Sequence, residues 1–100
     1  MFDLNIVLIE GIVTVSLVLE ETDDGLTFTR FPIRNNECGE IQVVVWSNLA
    51  ESAKKYAKVG DRIRIRGRLE KGGKEIVAQS IDYLPKSDLW RIKPDEKTDL

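Results

Sequence analysis

The stretch "RIRIRGRL", residues 62–69, limits the possible structures of this chain more than any other. Charged and apolar residues alternate with period two, a pattern that a helix of 3.6 residues per turn scatters and a strand sorts onto two faces. Arg62, Arg64, Arg66 and Arg68 fall on one face, and Ile63, Ile65 and Leu69 on the other. The apolar set requires a core, so the spacing predicts a half-buried strand with its arginines turned outward.

Four outward guanidinium groups are unexpected in a chain whose formal net charge is −2. That figure conceals a segregation. Residues 54–74 hold nine Lys and Arg against Asp61 and Glu70, a local charge of +7. The remainder holds six basic residues against fifteen acidic ones, and residues 1–26 carry six acids and no base. A merely solvated surface interleaves its signs; one that sorts them creates a field with a direction.

One hundred residues suffice for one core. There is no histidine and Cys38 is the single cysteine, which excludes an internal disulfide and leaves no zinc-ligand pattern. No apolar run reaches the length of a membrane span, and "MFDLNIVLIEG" lacks the basic start of a signal peptide. A cytoplasmic protein without cofactor, membrane contact or small-molecule substrate is expected.

The remaining elements follow from pattern and punctuation. "NIVLIEGIVTVSLVL" (5–19) is rich in β-branched residues, with Gly11 marking a bend in one long strand. "DDG" (23–25) signals a turn. "LTFTRFPIR" (26–34) reads as a strand that Pro32 assigns to an edge or bulge, and "EIQVVVW" (40–46) as its hairpin partner across "NNECG". A helix follows over 48–58, capped by Ser47 or Asn48 with Glu51 at capping-box spacing, its apolar stripe Leu49, Ala53 and Tyr56 or Ala57. Strands over 62–70 and 75–84 are joined by "KGGK". The chain is thus all-β with one helix, in the order β-β-β-α-β-β, which is that of a five-stranded OB-fold barrel. The domain is assigned to residues 1–85 and a polar tail to 86–100, where Trp90 and Ile92 could dock.

The strand faces nominate a binding surface. With Ile41, Val43 and Val45 inward, Trp46 stands on the sheet exterior beside Val44, as a base-stacking platform or as a residue packed under the helix or in an interface. Pairing of the hairpin sets Phe28, Arg30 and Arg34 beside it, although Phe28 and Phe31 compete for the core. Lys54, Lys55, Lys71 and Lys74 flank the arginine strand. The alternative for the arginines is ordinary pairing with Glu10, Glu20 and Glu21. Tyr56 reads as helix packing, and Tyr83 is ambiguous.

"VVVWSNLAESAKKYAKVGDRIRIRGRL" (43–69) resembles the bacterial single-stranded DNA-binding protein family, where a valine-rich strand, an aromatic or small residue, "LAE", a helix, a "KG" or "VG" turn and a strand ending in "GRL" follow one another. "NIVLIEGIV" resembles the family's opening, through Asn5, Leu8 or Ile9, and Gly11, and "IVAQSIDYL" its closing strand. The resemblance covers about residues 5–84. It implies an OB-fold, usually a homotetramer, that wraps single-stranded DNA and stacks bases on aromatics, Trp46 matching one stacking position. The chain departs from the family at "LEETDDG", at Glu40 where an aromatic is frequent, and in the short "KGGK" hairpin. A Gly/Pro/Gln-rich linker and acidic tip are also missing, so a short form without partner recruitment through such a tip is expected.

These readings converge on a binder of single-stranded DNA, with RNA possible, acting as a homodimer or homotetramer. Its twelve contact candidates are Trp46, Phe28 and the ten Arg and Lys residues named above on the strand, hairpin and flanks. About four neutralised phosphates would give a salt slope near −3. The rival is a protein-interaction module whose arginine strand meets an acidic partner. Catalysis is not expected.

Overall fold

The computed structural model describes residues 3–84, so the tail assigned to 86–100, with Trp90 and Ile92, lies outside the described residues. Six strands and one helix appear in it: β1 (Val7–Val13), β2 (Glu20–Glu21), β3 (Thr27–Asn35), β4 (Gly39–Trp46), α1 (Ser47–Tyr56), β5 (Arg62–Glu70) and β6 (Glu75–Leu84). Five of the strands close a barrel. β1 pairs β5, β5 pairs β6, β6 runs parallel to β4, β4 pairs β3, and β3 returns to β1. The two-residue β2 is an appendage on β3. This is the OB-fold architecture read from the sequence.

The first strand is shorter than its composition implies. β1 pairs β5 only as far as Ile12↔Arg62, where β5 begins, and beyond Val13 no neighbour among the described residues offers a ladder. Backbone bonds from Val13 N to Asp61 O (2.9 Å) and from Gly60 N to Val13 O (2.8 Å) pin its end. β propensity alone cannot hold a strand without a partner. Gly11 does mark the bend: a Cβ there would lie 2.9 Å from Ile33 Cδ1 and 3.0 Å from Arg34 O, where β1 crosses from β5 to β3. Pro32 fits its edge assignment too. β2 covers β3 at Thr27–Phe28 and β1 covers it at Ile33–Arg34, so Pro32 lies in the gap between them.

Alternation holds on β5 as far as Gly67. Ile63 and Ile65 are fully buried among Val13, Phe31, Ile33, Val43, Val45, Ile76 and Ala78. Leu69 is not part of this core; it is 42% exposed. The register shifts between Arg66↔Ser80 and Gly67↔Ala78, leaving Gln79 as an extra residue on β6. There the two backbones approach so closely that a Cβ on Gly67 would lie 2.1 Å from Val77 O. β1 stops pairing β5 at Val7↔Gly67, so Leu69 lies beyond the end of that ladder and leaves the core, while its cross-strand partner Ile76 stays in it.

α1 closes the barrel end with Ala50 and Ala53, and Ala57 follows at its C-cap, all buried. The expected cap differs. Trp46 occupies the N-cap position without a side-chain cap, and Ser47 is the first helical residue, at φ 56°. β4 runs straight into the helix, so the chain turns sharply at Ser47 and has no spare residue to cap it. Tyr56 is exposed rather than packed in the core, because the alanine stripe brings α1 close and turns Tyr56 to its flank, 5.7 Å from the Tyr83 ring.

Candidate nucleic-acid interface

Registers across the barrel exterior place residues from five strands in rows. Phe28 on β3 faces Trp46 on β4, and Glu20 on β2 faces Phe28 from the other side. The next row runs Arg30, Val44, Val77, Arg68 across β3, β4, β6 and β5. Three interstrand spacings separate its two arginines, about 14 Å. A third row brings Gln42, Glu75 and Glu70 together.

These rows build a groove of about 310 Å³, lined by Arg30, Val44, Trp46, Arg68, Glu70, Lys71, Glu75 and Val77. Val44 and Val77 form an apolar floor, and Val44 is buried although it points away from the core. One end is aromatic. The Phe28 and Trp46 centroids lie 5.1 Å apart with planes inclined at 36°, Trp46 is 38% exposed, and the Arg30 guanidinium lies 5.7 Å from the Phe28 centroid. The other end is an ionic cluster. Arg30 Nε donates to Glu75 Oε2 at 2.7 Å, Lys71 Nζ lies 3.8 Å from Glu75 Oε1, and Arg68 Nε donates to Glu70 Oε2 at 2.5 Å. The "KGGK" turn overhangs this end. Lys71, Gly72 and Gly73 all have positive φ, and Lys74 is exposed with no ion pair among the described residues.

Trp46, Phe28, Arg30, Arg68 and Lys71 therefore come together, with Lys74 on the adjoining turn. The other arginines of β5 diverge from them. Arg64 Nη2 lies 2.8 Å from Glu10 Oε2 and Arg62 Nη1 4.0 Å from Glu10 Oε1, so both are tied to β1. The alternative of pairing with strand 1 acids holds for these two. Arg66 is exposed between Leu8 and Ser80 in the sheet, with no ion pair among the described residues. Arg34 faces Glu40 at the far end of β3, six residues from Phe28 and about 20 Å along the strand. Lys54 lines a separate depression with Ser16, Leu17, Ala57, Lys58 and Val59, and Lys55 sits 5.3 Å from the Tyr56 ring centroid.

Strand alternation alone did not single out Glu70, Glu75, Val44 or Val77 as groove residues. A signal was present, since a four-residue turn at 71–74 makes Glu70 and Glu75 direct partners.

Comparison with known proteins agrees with the fold. No curated protein matches the chain in sequence. Among solved structures, the wild-type single-stranded DNA binding protein from Thermus aquaticus superposes with a TM-score of 0.74 at 27% identity, over 82% of this chain and 41% of that one. A deletion mutant of the same protein gives 0.71 at 28% identity, over 82% and 42%. The chain thus spans about two fifths of the length of these proteins. Residues 7–84 match the family described as OB-fold nucleic acid binding domain, and the chain belongs to that family.

Proposed function

We propose that this protein binds single-stranded DNA, with little sequence preference, by laying the strand across the exterior of β3, β4, β6 and the β5–β6 turn. The observation that carries this is the exposed Trp46 backed by half-buried Phe28 at the head of an apolar floor with an arginine on either side. Every base offers a π-face to such a platform, so stacking there tolerates any sequence. Guanidinium groups flanking a dry floor can hold phosphates while bases lie between them. Arg30, Arg68, Lys71 and Lys74 border the strand, and Arg66 continues its path along β5. Arg62 and Arg64, held by Glu10, stand outside it. The single-stranded DNA binding protein from Thermus aquaticus supports this reading through its similarity. Replication, recombination or repair is the setting in which such binding would act.

We further propose a homodimer or homotetramer built on β1. Its residues Val7–Gly11 are bonded to β5 on one side only, and Leu4, Ile6 and Leu8 expose apolar surface there.

The test is titration of tryptophan fluorescence with a thymine homopolymer at low and moderate salt, with duplex DNA as control. Quenching that disappears in Trp46→Phe assigns the signal to the groove rather than to Trp90. Absence of any response to single strands at low salt overturns the proposal.

A further inference from the structure

The groove's cations are not free, and the residue responsible is Glu75. Its side chain is only 12% exposed, one carboxylate oxygen accepts from Arg30 and the other faces Lys71, while Glu70 holds Arg68. Three groove cations thus meet two carboxylates, leaving a net charge of one. Sheet stability does not account for this arrangement. Glu75 and Glu70 are direct cross-strand neighbours, and like charges in that position destabilise a pair.

Resting on the proposed binding of single strands, we infer that Glu75 is a specificity-determining residue: its carboxylate takes the place of a strand phosphate between Arg30 and Lys71. A polyanion that offers only phosphates must displace a carboxylate already in contact and gains little. A strand that also lays bases on Val77 and Trp46 gains stacking and apolar burial that the carboxylate cannot supply. The groove therefore selects for unpaired bases by discounting charge. Duplex DNA, with its bases enclosed, and base-free polyphosphate are the ligands it rejects.

The experiment compares wild type, Glu75→Gln and Glu10→Gln by anisotropy of a labelled thymine homopolymer between 50 and 200 mM salt, with duplex and inorganic polyphosphate as competitors. Glu10→Gln makes the same change of net charge at a carboxylate that pairs Arg62 and Arg64 outside the groove. Freeing Arg30 and Lys71 for two phosphates steepens the salt slope by about 1.4 and raises affinity at 50 mM on the order of ten-fold. Polyphosphate then competes at concentrations lower by about the same factor, whereas Glu10→Gln changes both by less than about two-fold. Lys71→Gln supplies an arm that does not depend on the stability of Glu75→Gln, since Lys71 is well exposed on the turn. In wild type it makes the slope shallower by less than half of the roughly 0.7 of one free phosphate contact, and in the Glu75→Gln background it removes about half of the gain.

Equal or weaker binding by folded Glu75→Gln overturns the inference and makes Glu75 a support for Arg30. An equal rise in Glu10→Gln, or a slope shallower by the full ~0.7 of a free phosphate contact in Lys71→Gln alone, overturns it as well. Failure of wild type to bind the homopolymer is distinct from these outcomes and removes the underlying reading along with the inference.

Discussion

Replacing Trp46 by Ala gives the sharpest test of the groove, because the structure indicates how much should be lost. One face of the indole is backed by Phe28 at 5.1 Å, and Val44 lies beside it on β4. A base stacked on such a ring contributes about 1–3 kcal/mol. Phe28 survives the change and can accept part of the contact, so the expected loss is about 2 kcal/mol, roughly thirty-fold in Kd. Trp46→Phe retains a π-face and should lose less than about five-fold, and Phe28→Ala, which removes the backing, about 1 kcal/mol. Because the two rings touch, the double variant should lose less than the sum. Anisotropy of a labelled thymine homopolymer at about 0.2 M salt is the suitable assay, since the charge contribution is then reduced. Trp46 is the N-cap of α1 without a side-chain cap bond, so its removal should cost the fold little. Trp46→Ala binding within about two-fold of wild type, with an unchanged denaturation midpoint, would refute the stacking argument.

Three further outcomes are expected. Gly67→Ala places a Cβ 2.1 Å from Val77 O at the β6 bulge, and should lower stability by about 2–3 kcal/mol in guanidinium titration while other outward changes on β5 do not. The buried Tyr83 hydroxyl has no hydrogen-bond partner among the described residues, and desolvation, then the nearby Tyr56, raise its pKa above the ordinary 10.0. The folded state therefore holds this proton more tightly, so the contribution is intact below pH 10.0 and is lost as pH climbs through the raised value; Tyr83→Phe should match or exceed wild-type stability by up to about 1 kcal/mol and flatten the alkaline decline seen by circular dichroism. Leu8 is 68% exposed on β1, so Leu8→Lys should shift the proposed oligomer toward monomer in light scattering without lowering the monomer's unfolding midpoint.

Local alternation made β5 legible residue by residue, and the glycine-rich turn fixed both ends of the hairpin it belongs to. The Phe28–Trp46 pairing was legible as well, because the "NNECG" connection sets the register of β3 on β4: Asn35 Oδ1 accepts from Glu37 N and Cys38 N and closes the turn. What escaped depends on long-range geometry. The β-branched residues of 14–19 favour a strand, yet no strand among the described residues pairs with them. Leu69 obeys the alternation and still leaves the core, because the ladder of β1 on β5 ends at Gly67, short of it. The groove acids escaped for a related reason. Glu70 and Glu75 look like solvated residues beside a turn, and only the parallel pairing of β4 with β6, invisible to local pattern, brings Arg30 to one of them.

The charge segregation along the chain acquires a spatial meaning in this arrangement. The acids of 20–24 lie on β2 and its turn, and Glu20 borders Phe28 directly, so the aromatic end of the groove is closed by negative charge. Lys74, without an ion pair among the described residues, lies at the opposite end, on the β5–β6 turn. At physiological ionic strength a charge acts over about 8 Å, less than the width of the four-stranded face. A strand approaching the turn therefore meets the local excess of cations before it can sense the overall −2. A strand that overshoots Trp46 meets carboxylates. On the proposed path the field favours crossing β5, β6, β4 and β3 and disfavours continuing past β2, so the protein's acidity would limit the path instead of preventing binding.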